Sequence, residues 1–344
     1  MTDKNANLIP AVPGLRSRCA QNTGSKHGKG PPVILACDVG GTRIKLGVVR
    51  GRRLLARVEI PAEAHHGLAS AMKRISSQVR SLCRSARVET RELGGFGLAF
   101  PGIIEPGTER ILSTPAGKFD DSRGLDVGRL VERELGLPAL VCNDANAALA
   151  GEWRYGAARG CRSAVIMTLG TGIGTSAIID GVPLRGQHGQ AGCLGGHWTA
   201  NLNGRECPCG NRGCAESEAS TWALPTQAQT HPGFQESLLA REKVIDYAGV
   251  FRSAARGDSV AVELRDRAIN VWAGALVSLI HAYDPECAVI GGGIMRSGTI
   301  ILPRLRRYVA RHAWTPWGKV KIKPTALGND AGMLGVAWLL ETRP

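Results

Sequence analysis

The stretch Val33-Ile-Leu-Ala-Cys-Asp-Val-Gly-Gly-Thr-Arg-Ile-Lys-Leu-Gly-Val-Val49 decides the fold of this chain. It contains an apolar run that leads into Asp38, a Gly/Thr turn, and a second apolar run over Ile44–Val49. The turn Gly51-Arg52-Arg53 then leads into a third apolar run over Leu54–Ile60. Short apolar runs separated by glycine turns predict a β-meander.

The same pattern returns in the second half of the chain. Ala164–Leu169 and Thr175–Ile179 flank the turn Gly170-Thr171-Gly172-Ile173-Gly174, and a short strand is predicted over Val182–Leu184. Two copies of one unit predict a duplicated α/β architecture with two domains around a cleft. We expect an N-terminal α/β domain of residues 31–150 plus 326–344, and a C-terminal α/β domain of residues 151–325 with a metal-binding loop.

Apolar periodicity predicts the remaining elements. Helices are expected over Gly67–Arg84, Leu125–Leu135, Ala145–Tyr155, Ser259–Tyr283, Thr299–Arg311 and Asp330–Leu340. Further strands are expected over Gly95–Phe100, Ala139–Cys142 and Cys287–Ile290. The internal stretch with the least predicted structure is Pro225–Gln235.

Composition excludes several classes of protein. The 344 residues are 43% hydrophobic and 21% charged, which is typical of a folded globular chain. No stretch approaches the ~20 apolar residues of a membrane-spanning helix, and no apolar segment follows the first basic residues as in a signal peptide. Ten cysteines without an export signal favour a reducing compartment, so we expect a cytoplasmic protein with no membrane partner.

The formal net charge of +14 is the most unusual property of the composition. Part of it lies in residues 1–30, a predicted flexible basic tail with one acidic residue, Asp3, against Lys4, Arg16, Arg18, Lys26 and Lys29. Elsewhere no five like charges follow one another, so we expect a solvated basic surface and no specific nucleic-acid partner. The charge also suits a protein that handles phosphate anions.

The two Gly/Thr turns are candidate phosphate sites. Glycines let backbone amides approach an anion, and a threonine hydroxyl adds a donor. Each turn alone is equally well explained as a tight hairpin connection. Two such turns that face each other across a cleft would hold the phosphates of ATP from both sides. Asp38, just before the first turn, could hold a phosphate-bound Mg²⁺ through water.

Asn143-Asp144 lies between a predicted strand and a predicted helix. An aspartate at this position is most often only a helix N-cap. The helix N-terminus also keeps a carboxylate ionised, which suits a residue that accepts a proton from a hydroxyl during phosphoryl transfer.

His197 precedes the cluster Cys207-Pro-Cys209-Gly-Asn-Arg-Gly-Cys214 by ten residues. One imidazole and three thiolates complete a tetrahedral zinc site with no open position, so the spacing predicts structural zinc. The alternative is a set of free cysteines or a redox pair.

In order and spacing, these motifs resemble the ROK family (repressors, open reading frames and sugar kinases) from Val33 onward. This family is a branch of the duplicated ribonuclease-H-like ATPase fold, of the actin/hexokinase type. The matching segments are Asp38-Val-Gly-Gly-Thr42, Phe100-Pro101-Gly102, Asn143-Asp144-Ala145-Asn146-Ala147, Gly170-Thr-Gly-Ile-Gly174, Gly196-His197, Cys207–Cys214 followed by Glu216, and Ile290-Gly-Gly-Gly293.

The resemblance implies a sugar kinase that uses ATP with Mg²⁺ and carries structural Zn²⁺. Asp144 would deprotonate a sugar hydroxyl, the 6-hydroxyl in the first instance. The implied sugar-binding residues are Gly102, Asn143, Asp144, His197 and Glu216. The implied ATP and phosphate contacts are Asp38, Gly40, Gly41, Thr42, Thr171, Gly172, Gly291, Gly292 and Gly293. The implied zinc ligands are His197, Cys207, Cys209 and Cys214, and the metal would orient His197 and Glu216 indirectly.

One segment departs from the family pattern. Where the family has Ala-Gly-Glu-x-Gly-His, this chain reads Ala191-Gly-Cys-Leu-Gly-Gly-His197, with Cys193 in place of a glutamate that contacts the sugar and one residue inserted. A thiol cannot accept hydrogen bonds as a carboxylate does. Loss of the glutamate contact would weaken the binding free energy of the sugar normally bound by roughly 1.5–3 kcal/mol. We therefore expect an altered preference around C1 and C2 of the sugar.

Several functions remain open at this point. The first is a glucokinase-like hexose kinase, with an N-acetylhexosamine, allose or fructose as alternative substrates. The others are a kinase that uses polyphosphate, a sugar-responsive transcriptional regulator, and a non-catalytic sugar sensor. The 37 residues before Asp38 lack helical apolar periodicity, which disfavours an N-terminal DNA-binding domain. The family resemblance also implies a homodimer or homotetramer.

Overall fold

Two mixed five-stranded sheets form the centre of the computed structural model, which describes residues 30–115 and 117–343. Numbered along the chain, the strands are β1 Val33–Val39, β2 Arg43–Arg50, β3 Arg53–Pro61, β4 Leu93–Phe100, β5 Ile103–Ile104, β6 Ile111–Ser113, β7 Ala139–Asn143, β8 Ala164–Leu169, β9 Ile173–Ile179, β10 Val182–Pro183, β11 Cys287–Gly291 and β12 Lys321–Pro324. The first sheet has the order β3-β2-β1-β4-β7, and the second has the order β10-β9-β8-β11-β12. β5 and β6 form a separate hairpin.

The two sheets repeat one topology. In each, three antiparallel strands follow one another along the chain, and two further strands add in parallel beside the first of them. The central strand of each sheet, β1 in the first and β8 in the second, is buried on both faces, as expected of a sheet covered on both sides. The duplicated α/β architecture expected from the two Gly/Thr turns is therefore confirmed.

Helices cover the sheets. They are α1 Gly67–Ala86, α2 Val127–Leu135, α3 Asp144–Tyr155, α4 Ala215–Ala219, α5 Leu224–Gln229, α6 Tyr247–Ala255, α7 Ser259–Tyr283, α8 Gly298–His312 and α9 Ala331–Glu341. On α1 the predicted apolar stripe is buried at Leu68, Met72, Ile75, Val79 and Leu82. On α7, Trp272 is fully buried and its indole donates to the carbonyl of Ala219. None of the helices in the described ranges is long and apolar enough to cross a membrane.

α3 and α9 pack against each other, and α9 also contacts β1 and β4 of the first sheet. A buried carboxylate holds the ends of both helices. Glu152 of α3 accepts hydrogen bonds from the backbone amides of Ala157 at 2.7 Å, Ala326 at 3.1 Å and Leu327 at 2.8 Å. The segment after α3 and the segment before α9 are thereby joined at one side chain.

The expected helices and strands are confirmed with small shifts at their ends, and the structure adds elements that the pattern did not predict. The stretch Pro225–Gln235, expected to have the least structure, contains most of α5, in which Pro225 occupies the first turn. This expectation was wrong because proline is compatible with the first turn of a helix. β12 was missed because it is only four residues long and buries only Ile322, which is too short a segment for its alternation to indicate a strand.

The described residues from Pro32 onward form one compact unit. The division into residues 31–150 with 326–344 and residues 151–325 stays a prediction. Of the predicted basic tail 1–30, all residues except Gly30 lie outside the described part of the chain, as does Cys19. The cysteines of the described part are all free.

Candidate active site

Asp144 is the first residue of α3, where β7 ends. The N-cap is Asn143, whose Oδ1 accepts from the amides of Ala145 at 3.0 Å and Asn146 at 3.2 Å. The Nδ2 of Asn143 donates to the carbonyl of Gly102 at 3.1 Å, which ties the loop after β4 to the start of α3. Asn143 is therefore the N-cap, and Asp144 lies in the first turn of α3, at the positive end of the helix dipole.

The carboxyl group of Asp144 titrates near neutrality. Burial and, to a smaller extent, the charge of Asp38 raise its pKa to about 7, against hydrogen bonds from Ala145 and Asn143 that lower it. The amide of Ala145 donates to its Oδ1 at 2.8 Å. A carboxylate with a pKa near the working pH is suited to general base catalysis, because it can both accept and release a proton.

Asp38 lies at the end of β1, beside the first Gly/Thr turn. The antiparallel register pairs it with Lys45, whose Nζ donates to Asp38 Oδ2 at 3.0 Å. The turn is closed by the amide of Gly40, which donates to the carbonyl of Arg43 at 2.9 Å, and Thr42 is exposed. The first predicted phosphate turn is therefore formed and accessible.

The second Gly/Thr turn meets the start of α3 and the predicted sugar residue Glu216. A methyl group at Gly174 would stand 3.4 Å from the Cβ of Ala145, next to Asp144. Glu216 Oε2 accepts from the amide of Ile173 at 2.8 Å, and its Oε1 accepts from the indole of Trp222 at 3.2 Å. In this structure Glu216 supports the second Gly/Thr turn directly, through the hydrogen bond from the Ile173 amide.

The third glycine run follows β11 and packs on the second turn. Gly292 has φ = +91°, and a Cβ there would stand 2.6 Å from the backbone nitrogen of Leu169. A Cβ at Gly291 would stand 2.6 Å from Cγ2 of Thr325. Gly291 and Gly292 thus occupy positions with no room for a side chain, at the edge where β8 and β11 both end.

His197, Cys207, Cys209 and Cys214 come together as a candidate metal centre. One ligand atom from each lies within 4.8 Å of the others. The Sγ atoms of Cys209 and Cys214 are 3.7 Å apart, and His197 Nδ1 is 3.5 Å from Cys207 Sγ. Two thiolates on a tetrahedral zinc ion with bonds of about 2.3 Å are about 3.8 Å apart, so the donor set and its spacing fit that ion.

Cys193 lies inside the site but does not present an acceptor to it. Its thiol donates to the carbonyls of Gly189 at 3.5 Å and Gln190 at 3.4 Å. Burial raises its pKa to about 11, and the charge of Asp144 contributes to this increase. The thiol is therefore neutral at physiological pH.

A cavity of about 390 Å³ adjoins this region on the other side of β7. It is lined by residues of β7, the β5–β6 hairpin, the end of α9 and the 183–189 segment. Asn143 reaches it, whereas Asp144 and the Cys/His cluster do not line it. The cavity therefore borders the candidate active site at Asn143.

Three observations link predicted site residues to one another or to the predicted turns. Gly102 meets Asn143, Asp38 acts on the pKa of Asp144, and Glu216 meets the second turn. Lys45 was missed by the sequence analysis. The pairing of β1 with β2 across a four-residue turn was the signal that could have predicted its contact with Asp38.

Comparison with known proteins places the chain in a family. The model of the ROK family matches residues 34–343. A glucokinase from Thermotoga maritima is 30% identical over 317 residues, which cover 90% of this chain and 98% of that protein. The xylose repressor of Bacillus subtilis is 29% identical over 245 residues, covering 71% of this chain and 60% of the repressor.

Among solved structures, a ROK family glucokinase from Streptomyces griseus in complex with glucose and AMPPNP superimposes with a TM-score of 0.75. It is 29% identical, and the match covers 89% of this chain and 98% of that one. The chain belongs to the ROK family and has its actin-like ATPase fold.

Proposed function

We propose that the protein is an ATP-dependent hexose kinase, glucokinase-like, that phosphorylates the 6-hydroxyl of its sugar. The observation that carries this proposal is Asp144, a half-buried carboxyl group with a pKa of about 7 at a helix N-terminus beside two glycine turns. The glucokinases that align with nearly the whole chain support it, as does the glucose and AMPPNP complex of a relative.

In the proposed reaction Asp144 accepts the proton of the sugar hydroxyl. The oxygen attacks the γ-phosphorus of ATP, the bond between that phosphorus and the β–γ bridging oxygen breaks, and ADP leaves. The proton then passes from Asp144 to solvent when the products depart. The N-terminus of α3 favours the ionised carboxylate between turnovers, and the pKa near 7 lets protonation occur at little cost.

The nucleotide would lie along the three glycine runs. The amides of Gly41 and Gly172, with the hydroxyls of Thr42 and Thr171, would bind phosphate oxygens. Gly40 would shape the first turn around them, because its own amide donates to the Arg43 carbonyl. Gly291–Gly293 would lie near the adenosine. Asp38 would hold Mg²⁺ through water; that ion neutralises charge on the phosphates. Lys45 holds one oxygen of the Asp38 carboxylate through the hydrogen bond from its Nζ.

The sugar would be bound from both sheets. Gly102 and Asn143 would contact it from the first, and His197 and Glu216 from the second. Zinc held by His197, Cys207, Cys209 and Cys214 would order a loop that has few apolar residues, and so would hold His197 and Glu216 in position. A cytoplasmic location and a homodimer or homotetramer stay predictions.

The identity of the sugar depends on Cys193. Thr175 of β9 holds the surrounding loop, since its hydroxyl donates to the Gly192 carbonyl at 2.7 Å and accepts from the Gly195 amide at 2.8 Å. With a neutral thiol turned to backbone carbonyls, no charged acceptor is available at position 193 for the hydroxyls near C1 and C2. We therefore propose an altered preference, with mannose, allose, fructose and the N-acetylhexosamines as candidates.

A coupled ADP assay with a panel of these sugars and glucose tests the function. We expect ADP release with at least one hexose, loss of at least three orders of magnitude in Asp144→Ala, and full activity in Glu132→Gln, an exposed carboxylate of α2. Parallel reactions with polyphosphate identify the donor. If no sugar and donor pair gave turnover, a non-catalytic sensor would replace the kinase. Glucose as the best substrate by a wide margin would refute the role given to Cys193.

A second candidate function, a sugar-responsive regulator, is favoured by the match to the xylose repressor and by the net charge of +14. A gel-shift at physiological salt separates the two. Weak, sequence-independent and salt-sensitive binding is expected from the basic surface alone, whereas tight binding to one sequence would support regulation.

A further inference from the structure

Lys118 is a cation at the first glycine turn that neither the motifs nor the comparisons assign. A Cβ built on Gly41 would stand 2.7 Å from Lys118 Nζ, 3.1 Å from Cε and 3.3 Å from Cδ. Because these three atoms follow one another along the side chain, the lysine lies across Gly41 and its ammonium group ends on the turn. Position 41 has to be glycine for the lysine to lie there.

The backbone beside Lys118 is held firmly. Phe119 adopts the left-handed conformation with φ = +53°, and its side chain is only 1% exposed. Its ring centroid lies 5.6 Å from that of Phe100, and its amide donates to the carbonyl of Ala64 at 2.9 Å. A bulky residue adopts positive φ only where the surrounding packing compels it, so the backbone next to Lys118 is held by a buried anchor.

The same anchor relates Lys118 to the proposed base. Phe100 begins the loop that ends at Gly102, and the Gly102 carbonyl accepts from Asn143, the residue before Asp144. Phe119 therefore packs on the residue that begins the loop hydrogen-bonded to Asn143. The other lysine at this turn, Lys45, is already paired with Asp38.

We propose that Lys118 binds the terminal phosphate of the donor and stabilises the charge that develops on it during transfer. The proposal rests on the proposed kinase function. An ammonium group at this turn that contacts the transferring phosphoryl group would act more strongly in the transition state than in the ground state, so it would raise kcat. It binds no part of the sugar and no part of ADP.

The variant Lys118→Met tests this proposal, and Lys118→Arg is the conservative variant that keeps the charge. The control is Lys73→Met, which removes one positive charge from the exposed face of α1. We expect Lys118→Met to lower kcat roughly 10- to 100-fold with the KM for sugar changed less than about twofold. Lys118→Arg should recover part of the loss, and Lys73→Met should match the wild type. Thermal unfolding establishes that each variant is folded.

Nucleotide binding gives a readout that does not need turnover. Lys118→Met should bind AMPPNP, the non-hydrolysable ATP analogue, roughly tenfold more weakly while its affinity for ADP is unchanged. An equal loss for both nucleotides, or none for either, would overturn the assignment to the terminal phosphate. If the wild-type protein released no ADP with any sugar, the kinase proposal itself would be refuted. The nucleotide-binding result and the ADP assay therefore distinguish a failure of the Lys118 assignment from a failure of the proposed function.

Discussion

Replacement of Asp144 with asparagine should abolish activity and stabilise the protein at high pH. The asparagine keeps the shape of the side chain and the acceptor for the Ala145 amide, but it cannot take a proton from a hydroxyl. The stability effect follows from the raised pKa. The folded protein holds the Asp144 proton more tightly than the unfolded chain does, because burial and the charge of Asp38 disfavour the carboxylate.

The sign and size follow from linkage. A pKa that rises from 3.8 unfolded to about 7 folded makes stability fall as pH rises between those values, and stay at its reduced level above them. Three pKa units correspond to a ceiling of about 4 kcal/mol, which solvent screening at a half-buried group reduces to about 2 kcal/mol. Asp144→Asn removes this penalty, so its advantage over the wild type should grow from pH 5 to pH 8.

Urea unfolding at a series of pH values, without nucleotide, measures the difference between variant and wild type. Glu132→Gln controls for the loss of one surface carboxylate. A difference in unfolding free energy that is independent of pH would refute the argument that Asp144 is held in a carboxylate-destabilising environment. An Asp144→Asn enzyme with kcat near that of the wild type would refute its role as the base.

Three further outcomes are expected. The pH profile of kcat/KM should rise through about pH 7 as Asp144 ionises in the free enzyme, and a profile flat from pH 6 to 8 would contradict this. Removal of bound zinc with a chelator should both raise the KM for sugar and lower the Tm, and the metal content of each sample is measured in parallel. Unchanged KM and Tm after complete removal would show that the Cys/His cluster does not order the loop. Glu152→Ala should lower the free energy of unfolding by roughly 3–5 kcal/mol in a chemical unfolding experiment, because three buried backbone amides lose their carboxylate acceptor. A decrease as small as that of Glu132→Gln would show that this contact does not hold the ends of α3 and α9.

Much of the fold was predictable because its signals are local. The apolar runs around both Gly/Thr turns predicted the strands that the structure contains, and the 3-4 spacing on α1 predicted its buried face. The Cys/His spacing predicted four ligands that prove to lie within 4.8 Å of one another. Periodicity and motif spacing are properties of a short window of chain, so one sequence is enough to interpret them.

The tertiary structure decided what depends on distant segments. That Asn143 binds the Gly102 carbonyl, that Glu216 supports the second turn, and that Lys118 lies on Gly41 could not be predicted from spacing along the chain. The pKa of Asp144 has the same origin, since it depends on burial and on a carboxylate more than a hundred residues away. Electrostatic and packing energies are set by distances in space, and only the folded chain determines those distances.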